Sequence, residues 1–455
     1  MKSRDVILIG AGPAGMFAGS KFLHKDFSVT ILERGKAPDK RNSITYGVGG
    51  AGAFSDGKLN LTPRIGGNPE TFGRTGDELL PYIEEIDQVF ADFGGGSTYS
   101  GESESGLREL KKRAGKYGIE FIPGKQRHIG TKRIREVIDN FYHHLVDQGM
   151  DFSLKTEVQD IHYDGKVYTL ETNNGKYQAP CLLAAPGRCG AYWLREQANS
   201  LGIETNYGPI DVGVRVEFPA EIYQPIEEIM YDAKFRLRTE TYDDLVRTFC
   251  TNPRGFVVKE TFEDFILING HAENSNKTDV TNFALLSRIT LTDPVEDTTK
   301  YGRSIARLAN TIGGGKPILQ RLKDLKNGRR STEKRVSRIP FSPTLSDNTP
   351  GDISMALPDR VTVNLLEGLD RLNNIIEGVT SDNTLLYAPE IKFYDTKYQV
   401  TKDLETNLDG FYVAGDASGH SRGIVYSAIT GMIAAEDIAE KVDNTDPESN
   451  NDNQG

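Results

Sequence analysis

Three glycines near the start of the chain have the spacing of a nucleotide-binding turn. Gly10, Gly12 and Gly15 form the pattern G-x-G-x-x-G between a short apolar run and a stretch with helical spacing. This context predicts a tight turn at Gly10, close approach of a pyrophosphate at Gly12, and close packing of helix on strand at Gly15. The helix would begin at Pro13 and Ala14, and its N-terminus would present N–H donors to the phosphates.

An acidic residue completes this pattern. Glu33 closes the next apolar run, 18 positions after Gly15. A carboxylate there can accept both hydrogen bonds of an adenosine ribose diol and would repel a 2′-phosphate. The pattern therefore predicts a dinucleotide with a free ribose diol at this site, with the adjacent Arg34 as a further contact.

A second glycine turn stands near the other end of the chain. Residues 411–416, Phe-Tyr-Val-Ala-Gly-Asp, form an apolar run that ends in Gly415 and Asp416, before a helical stretch from Gly423. This segment resembles the second FAD motif of the glutathione-reductase-like flavoproteins. The resemblance implies non-covalently bound FAD, with Asp416 on the ribityl chain and Gly415 beside the pyrophosphate. The helix N-terminus at Gly423 and Ile424 would stabilise negative charge on reduced flavin.

The glycine-rich segment 49–59 narrows the resemblance. It is similar to the signature of the uncharacterised FAD-dependent dehydrogenases, described as NAD(FAD)-utilising dehydrogenase-like flavoproteins of the glutathione-reductase-like FAD fold. The similarity extends from about residue 5 to residue 438. The chain departs from the family pattern after Cys250, where Thr251 and Asn252 replace a frequent second cysteine. The resemblance implies additional FAD contacts at Gly50, Ser55, Val158, Ala185 and Gly187.

Three residues are candidates for catalysis, and none is decisive. Lys58 follows the glycine-rich segment and would tune the flavin if it faced it. His420 is the histidine nearest a flavin motif and is a candidate proton donor. Arg215 shares one face of a strand with Glu217, either to orient a polar or acidic substrate or simply exposed to solvent. The seven histidines form no metal-binding pattern, and no metal is expected.

No second G-x-G-x-x-G stands between an apolar strand and a helix, so a separate nicotinamide domain is not expected. NAD(P)H would act as a transient electron donor, or another protein would deliver the electrons. The formal net charge of −11 makes nucleic acid an improbable partner. Three cysteines without a C-x-x-C pair indicate a reducing, cytoplasmic setting, and no apolar run is long enough to span a membrane.

The alternation of apolar runs and helical stretches predicts an α/β fold. We expect a bipartite Rossmann-like FAD-binding domain with a three-layer ββα arrangement, and an inserted, mostly antiparallel α+β substrate domain. Within the insertion, residues 248–259 read as one strand, and residues 303–311 and 316–325 read as helices. The predicted divisions are an FAD domain at 1–65, 120–205 and 385–440, a helical insertion at 66–119, a substrate or cap domain at 206–384, and a disordered tail at 443–455.

Together these features predict a FAD-dependent oxidoreductase, a dehydrogenase or reductase that transfers hydride between flavin N5 and a small organic substrate. The identity of that substrate and the direction of transfer stay open. The alternatives are a flavin-dependent reductase of unsaturated lipid or isoprenoid chains, which needs an apolar tunnel, and a non-catalytic flavin-binding redox sensor. A tRNA-modifying enzyme would require a basic face, which the acidic composition does not favour.

Overall fold

The protein was analysed as a computed structural model, which describes residues 1–262, 264–273, 276–290, 297–393 and 396–445. The chain divides into two compact units. The first contains Met1–Thr98, Arg127–Asn206 and Asp395–Gly455; the second contains Tyr99–Gln126 and Tyr207–Tyr394. The assignment of an FAD domain, a helical insertion and a substrate domain to the ranges given above stays a prediction.

A five-stranded parallel sheet forms the centre of the first unit. Four of its five short strands are entirely buried, as expected for a parallel sheet covered on both faces, and the edge strand Asp151–Leu154 is partly exposed. Val6–Ile9 lies in the middle, and its register pairs Ile9 with both Ala184 and Leu32. The strand order is Phe411–Val413, Cys181–Ala184, Val6–Ile9, Val29–Glu33 and Asp151–Leu154.

Different layers cover the two faces of this sheet. Val6 and Leu8 pack with apolar side chains of helices, including Phe17 and Ile429. Ile7 and its neighbours instead pack on a second, four-stranded sheet. The strands of that sheet, in order, are Lys2–Ser3, Gly175–Ala179, Tyr168–Thr172 and Val158–Tyr163. The helices of the unit are Pro13–Lys21, Leu80–Asp92, Thr131–Asp147, Ala191–Leu201 and Ile424–Thr445.

The second unit contains an eight-stranded, mostly antiparallel sheet. Its strand order is Thr349–Pro350, Ile318–Arg321, Leu385–Lys392, Ile210–Pro219, Val280–Ile289, Leu245–Asn252, Lys234–Arg238 and Glu120–Ile122. A separate hairpin joins Phe256–Thr261 to Ile266–His271. The helices are Glu104–Gly115, Ala220–Glu227, Thr298–Ile312, Leu322–Lys326, Glu333–Val336 and Asp359–Leu372.

The remaining elements are short. Single-turn 3-10 helices occupy Pro38–Lys40, Gly50–Phe54, Pro69–Phe72, Asp77–Leu79, Arg188–Gly190, Ile353–Met355 and Asp416–Ser418. Further strands occupy Lys58–Leu61, Tyr99–Ser100, Lys125–His128, Thr205–Tyr207 and Thr396–Tyr398.

The mixed α/β fold with a parallel sheet is as predicted, but three local predictions were wrong. Residues 316–325 are not one helix, because Ile318–Arg321 pairs as a strand and only the residues after it turn helical. The strand predicted at 248–259 is divided by a turn at Gly255. The last helix extends to Thr445, into the tail predicted as disordered, whose residues 446–455 lie outside the described part of the chain.

Candidate functional site

The first glycine turn admits no side chain at two of its three glycines. Gly10 has φ +97°, and a Cβ there would stand well inside 3.0 Å of the carbonyl oxygen of Ala185. A Cβ on Gly15 would collide in the same way with the carbonyl oxygen of Gly10. The turn thus brings the end of strand Val6–Ile9 against the residue that follows Cys181–Ala184, as the G-x-G-x-x-G pattern predicts.

Gly12 leaves the N-terminus of the first helix open. It is the N-cap of Pro13–Lys21, and no side chain caps the helix there. The first N–H groups of an α-helix have no partner within the helix, and the helix dipole places partial positive charge beside them. A Cβ on Gly12 would have only the Cα of Gly50 near it, at 4.0 Å. The arrangement provides donors and space for an anionic group such as a pyrophosphate.

Glu33 is held as a buried carboxylate at the end of its strand, with 4% of the residue exposed. Its Oε2 accepts a hydrogen bond from the N–H of Ala11 at 2.9 Å. Its Oε1 accepts from the N–H groups of Gly35 at 2.7 Å and Gly47 at 2.9 Å. A carboxylate has about four lone-pair positions, so three backbone donors fix its orientation without exhausting its capacity.

Arg34 follows Glu33 in the chain, and Val158 follows Glu157, whose carboxylate lies near Arg34. The Arg34 guanidinium stands 4.2 Å from the centre of the Tyr46 ring and 3.6 Å from the carboxylate of Glu157. Val158 starts the strand Val158–Tyr163 and is buried. A flat cation on an aromatic ring next to a nucleotide-binding turn suits a purine base.

The glycine-rich segment folds back onto the first helix. A Cβ on Gly50 would lie 3.2 Å from the Cα of Gly12, and one on Gly52 would lie 3.1 Å from Cγ1 of Ile424. Ser55 donates its hydroxyl to the carbonyl of Gly52 at 2.8 Å. Residues 50–55 therefore lie between the starts of the first and last helices.

Arg41 anchors this segment, although its role was not foreseen from the sequence. Its Nη1 donates to the carbonyls of Val48 at 2.8 Å and Gly50 at 2.7 Å. Its guanidinium and that of Arg135 stand 4.6 and 4.1 Å from the centre of the Phe54 ring. Burial lowers the pKa of Arg41 to about 10, so it stays charged at neutral pH.

The second glycine turn fixes an acidic side chain. Gly415 has φ +70° and donates its N–H to Oγ1 of Thr430 at 2.9 Å. Oδ1 of Asp416 accepts hydroxyl hydrogen bonds from Ser427 at 2.9 Å and Ser421 at 3.2 Å. Thr430 and Ser427 belong to the last helix, so that helix positions both residues of the Gly-Asp pair. The sequence offered no signal for these two hydroxyls beyond their place in an otherwise apolar helix.

The last helix also begins with a glycine and open space. Gly423 has φ +87°, and a Cβ there would meet no atom within 4 Å. Ser427 donates its N–H to the carbonyl of Gly423 at 3.1 Å, so Gly423 caps the helix that starts at Ile424. No capping side chain is available at this position, and the dipole of a long helix points into the open space.

The two glycine-capped helices touch backbone to backbone. A Cβ on Gly431 would fall well inside 3.0 Å of the carbonyl oxygen of Ala14. A Cβ on Gly415 would stand 3.3 Å from the Cβ of Ala14. Ala185 completes the junction by donating its N–H to the carbonyl of Ile9 at 2.9 Å, and Gly187 follows with φ +68°. The predicted binding residues from both ends of the chain therefore converge.

The three catalytic candidates are occupied by other contacts. Lys58 has a side chain only 7% exposed, and its Nζ lies 3.1 Å from Oδ2 of Asp56. His420 is buried, with Nδ1 3.1 Å from Oγ1 of Thr71 and Nε2 2.9 Å from the carbonyl of Tyr398. Burial lowers the pKa of His420 to about 4, so the ring is neutral at pH 7.

Arg215, the third candidate, is not on an exposed face. It is fully buried in the second unit and forms two hydrogen bonds with the carboxylate of Glu390, at 2.8 and 2.9 Å. Glu217 on the same face is buried too, and its Oε2 accepts the hydroxyl of Tyr387 at 2.6 Å. The expectation of a solvent-exposed face was wrong, because the partners of these charges belong to the neighbouring strand Leu385–Lys392, which is far away in sequence.

Comparison with known proteins agrees with this site. Residues 209–392 match the model of a family described as "FAD-dependent protein, C-terminal domain-like". The cofactor of this protein is FAD. The match confirms the resemblance to FAD-dependent dehydrogenases and supports the predicted class, FAD-dependent oxidoreductase, without distinguishing among substrates. The glycine cradles, the open helix termini and the fixed carboxylates of Glu33 and Asp416 fit FAD.

An uncharacterised protein of Clostridium beijerinckii is 26% identical to the present chain. The match covers 97% of the present chain and 82% of the Clostridium protein. Solved structures include a flavoprotein/dehydrogenase from Cytophaga hutchinsonii, at 12% identity and a TM-score of 0.41, with 98% and 80% of the two chains covered. A 3-ketosteroid-delta4-(5alpha)-dehydrogenase from Rhodococcus jostii RHA1 has 12% identity and a TM-score of 0.43, with 96% and 97% covered. These likenesses are too distant to support a functional conclusion.

None of the helices among the described residues is long and apolar enough to cross a membrane. No group of three or more His, Cys, Asp or Glu side chains in the described part of the chain could hold a metal ion. The three cysteines, Cys181, Cys189 and Cys250, form no disulfide.

Proposed function

We propose that this flavoprotein is an oxidoreductase that transfers hydride between flavin N5 and a small organic substrate. The observation that carries the proposal is the position of Gly52, where a Cβ would lie 3.1 Å from Cγ1 of Ile424 and 3.4 Å from Cγ of Pro13, so that two open, glycine-capped helix N-termini lie near one place. One terminus suits the pyrophosphate, and the other suits a group that gains negative charge on reduction.

In this proposal the first turn binds the ADP half of the cofactor. Gly10, Gly12 and Gly15 allow the backbone to approach the pyrophosphate, with Pro13 and Ala14 at the helix start. Glu33 accepts the ribose hydroxyls, because three backbone donors already hold its carboxylate in place. Arg34 and Val158 contact the adenine. Ala185 and Gly187 lie beside the first turn, where the chain leaves strand Cys181–Ala184.

The second half of the cofactor would be held by the residues around the last helix. Asp416, oriented by the hydroxyls of Ser421 and Ser427, binds the ribityl chain. Gly415 keeps the space beside the pyrophosphate free, and Gly50 and Ser55 border the flavin. When bound, FAD supplies the hydride-accepting and hydride-donating chemistry at N5.

The last helix would then favour reduction. Gly423 and Ile424 present N–H groups that have no partner within the helix, and the positive end of the dipole of Ile424–Thr445, toward the open space. Placed at the pyrimidine edge of the flavin, this terminus stabilises the negative charge that reduction creates there. Gly423 is suited to this role because it adds no side chain between the helix and the ring.

We assign no acid–base role to Lys58, His420 or Arg215. The first unit would be the FAD domain and the second the substrate domain, with NAD(P)H or another protein as the electron donor. The cytoplasmic location stays a prediction.

Absorbance and reduction test the proposal. The purified protein should be yellow, with the spectrum of oxidised flavin. Under anaerobic conditions NADH, NADPH or dithionite should bleach it, and an organic substrate should reoxidise it over repeated turnovers. A colourless purified protein that FAD cannot reconstitute would refute the assignment of FAD as the cofactor. Stoichiometric reduction without turnover on any acceptor would instead favour a redox sensor.

A further inference from the structure

Arg188 stands on a short turn that adjoins the first glycine turn. It is the first residue of the 3-10 turn Arg188–Gly190 in the first unit. A Cβ on Gly10 would collide with the carbonyl oxygen of Ala185 and would lie 3.3 Å from the Cα of Pro186. The segment that leads into Arg188 therefore lies against the turn to which the pyrophosphate is assigned.

Neighbouring segments hold the backbone of this short turn. A Cβ on Gly190 would collide with the Cβ of Pro186, so the turn has no room for a side chain there. Sγ of Cys189 lies 3.4 Å from the carbonyl oxygen of Thr45 and 3.7 Å from that of Pro186. The backbone that carries Arg188 is thus packed between the end of a buried strand and the loop at Thr45.

The side chain of Arg188 reaches the second glycine turn. Its Nε lies 3.7 Å from Oδ2 of Asp416. The other oxygen, Oδ1, accepts the hydroxyls of Ser421 and Ser427, so the cation and the hydroxyls lie at different oxygens of one carboxylate. The Asp416 side chain is 16% exposed and that of Arg188 is 52% exposed. One half-exposed cation therefore connects the two motifs that the cofactor is proposed to bridge.

The guanidinium of Arg188 has donors to spare. An arginine side chain carries five N–H donors. Among the described residues none of these donors has an acceptor at hydrogen-bond distance, and Asp416 is the one ion-pair partner. A separation of 3.7 Å is longer than a hydrogen bond, and such a half-exposed pair contributes little stability. The pair with Asp416 therefore leaves most of the binding capacity of this cation unused.

Three other arginines near the two turns are engaged elsewhere. Arg34 lies on an aromatic ring and beside a carboxylate. Arg41 donates to two carbonyls of the glycine-rich segment. Nη1 of Arg422 donates to the carbonyl of Asp416 at 2.7 Å. Arg188 differs from these three because its donors face neither a ring nor a backbone carbonyl.

The cofactor adds negative charge to a site that already holds carboxylates. A pyrophosphate would enter between Glu33 and Asp416, and the N-terminus of a helix supplies only about half an elementary positive charge. Arginine suits this position, because its planar fork donates two parallel N–H bonds to phosphate oxygens. Lysine provides only a point charge.

We propose that Arg188 is the arginine that contacts the pyrophosphate of FAD, from the position it holds beside Asp416. It offsets the charge that the phosphates bring and reduces their repulsion by the Asp416 carboxylate. This inference deepens the proposed function and rests on its placement of FAD at the two glycine turns. It does not depend on hydride transfer.

Release of FAD from the purified holoprotein tests the assignment. After dilution, ultrafiltration separates free from bound FAD, and the flavin fluorescence of the filtrate gives the dissociation constant. Arg188→Gln should weaken FAD binding about tenfold or more, because a hydrogen bond to a charged group contributes on that scale. Arg188→Lys should lie between, since it keeps the charge and loses the fork. Lys25→Gln, which breaks an exposed ion pair of the same unit, should bind FAD normally.

Salt distinguishes a phosphate contact from a structural role. A half-exposed charge is screened by salt, so the advantage of the unaltered protein over Arg188→Gln should shrink between about 0.1 M and about 1 M salt. The melting temperature of the FAD-saturated variant verifies that it is folded. An advantage that stays the same at both salt concentrations would mean that the substitution acts through the packing of the turn, and would overturn the proposal.

A second background distinguishes contact with FAD from action through Asp416. If Arg188 contacts the pyrophosphate, Arg188→Gln should weaken FAD binding in Asp416→Asn as well as in the unaltered protein. No further loss in that background would make Arg188 a residue that only orients Asp416. That result would overturn the phosphate contact.

The outcomes also separate this inference from the proposed function. Weaker FAD binding in Arg188→Gln, in a protein that turns over no substrate, would retain Arg188 and refute the oxidoreductase. Normal FAD binding in Arg188→Gln and weak binding in Asp416→Asn would overturn the role of Arg188 alone. Normal binding in both variants would overturn this inference together with the placement of FAD at the two turns.

Discussion

Gly431 lies against the carbonyl oxygen of Ala14, so closely that a Cβ at Gly431 would collide with that oxygen. The contact joins the helix of the first nucleotide motif to the helix of the second. Both helices are in the same apolar core as strand Val6–Ile9.

Gly431→Ala should therefore separate the two helices and weaken FAD retention. Overpacking of this kind costs about 1–3 kcal/mol. We expect a lower ratio of flavin to protein after gel filtration and a lower melting temperature. Gly115→Ala is the control, because a Cβ at that exposed helix end meets nothing within 4 Å. Normal flavin content in Gly431→Ala would mean that the helices move apart without cost.

Asp416→Ala should lower FAD affinity without unfolding the first unit. Asp416 is fixed by two serine hydroxyls, and its loss removes an oriented acceptor from the cofactor site. Equilibrium dialysis of FAD should show a loss of about tenfold or more, since hydrogen bonds to charged groups contribute about 1.5–3 kcal/mol. Asp160→Ala, at an exposed position of the same unit, should bind FAD normally. Equal affinity of the two variants would remove Asp416 from the site.

Glu33→Gln tests the ribose contact with little change of shape. The two carboxylate oxygens of Glu33 accept three backbone hydrogen bonds. In Gln an amide nitrogen replaces one of these oxygens, and it cannot accept any of them. We expect FAD affinity to fall and the apoprotein to lose stability, both measurable by thermal shift with and without FAD. Unchanged values in both measurements would contradict the role given to Glu33.

Stability should fall in acid through His420. Burial lowers its folded-state pKa from 6.5 to about 4, so between these values the unfolded chain binds the proton that the folded protein excludes. The contribution is complete above pH 6.5 and is lost as pH falls toward 4, by up to about 3 kcal/mol. Denaturation at several pH values gives the free energy of unfolding as a function of pH. Between pH 4 and 6.5 this free energy should change less steeply with pH for His420→Gln than for His162→Gln, whose side chain is exposed. Identical slopes would contradict the assignment.

Arg215→Met should destabilise the second unit strongly. It leaves Glu390 buried with Lys392, at 3.0 Å, as the cation beside it, and breaking a buried pair costs about 3–5 kcal/mol. The double variant Arg215→Met/Glu390→Leu should recover much of that loss, as measured by urea denaturation. A double variant less stable than the single one would mean that the pair itself is net stabilising.

The predictable part of the site was local in sequence. The segments Gly10 to Gly15 and Gly415–Asp416 can be recognised from the sequence, because each short segment contains both the turn and the residues that would bind the cofactor. Glu33 is predictable because its distance from Gly15 follows from the length of one strand–helix–strand unit. The mixed α/β fold follows from the same alternation.

The missed part depends on residues far apart in the chain. Arg215 is separated from Glu390 by 175 positions, and no pattern in either strand indicates that they pair. Gly431 is one glycine in an apolar helix until Ala14 is placed beside it. Ile318–Arg321 was mistaken for helix because four residues are too few for periodicity to distinguish the two states.

The meeting of Ala14 with Gly431 also orders events during synthesis. A ribosome makes Ala14 more than 400 positions before Gly431, and the segments of the second unit lie between these two residues in the chain. The core shared by the two helices cannot close on the nascent chain until the last helix has emerged. Assembly of the first unit therefore waits for synthesis of the last helix, and a chain stopped before residue 424 cannot complete this core.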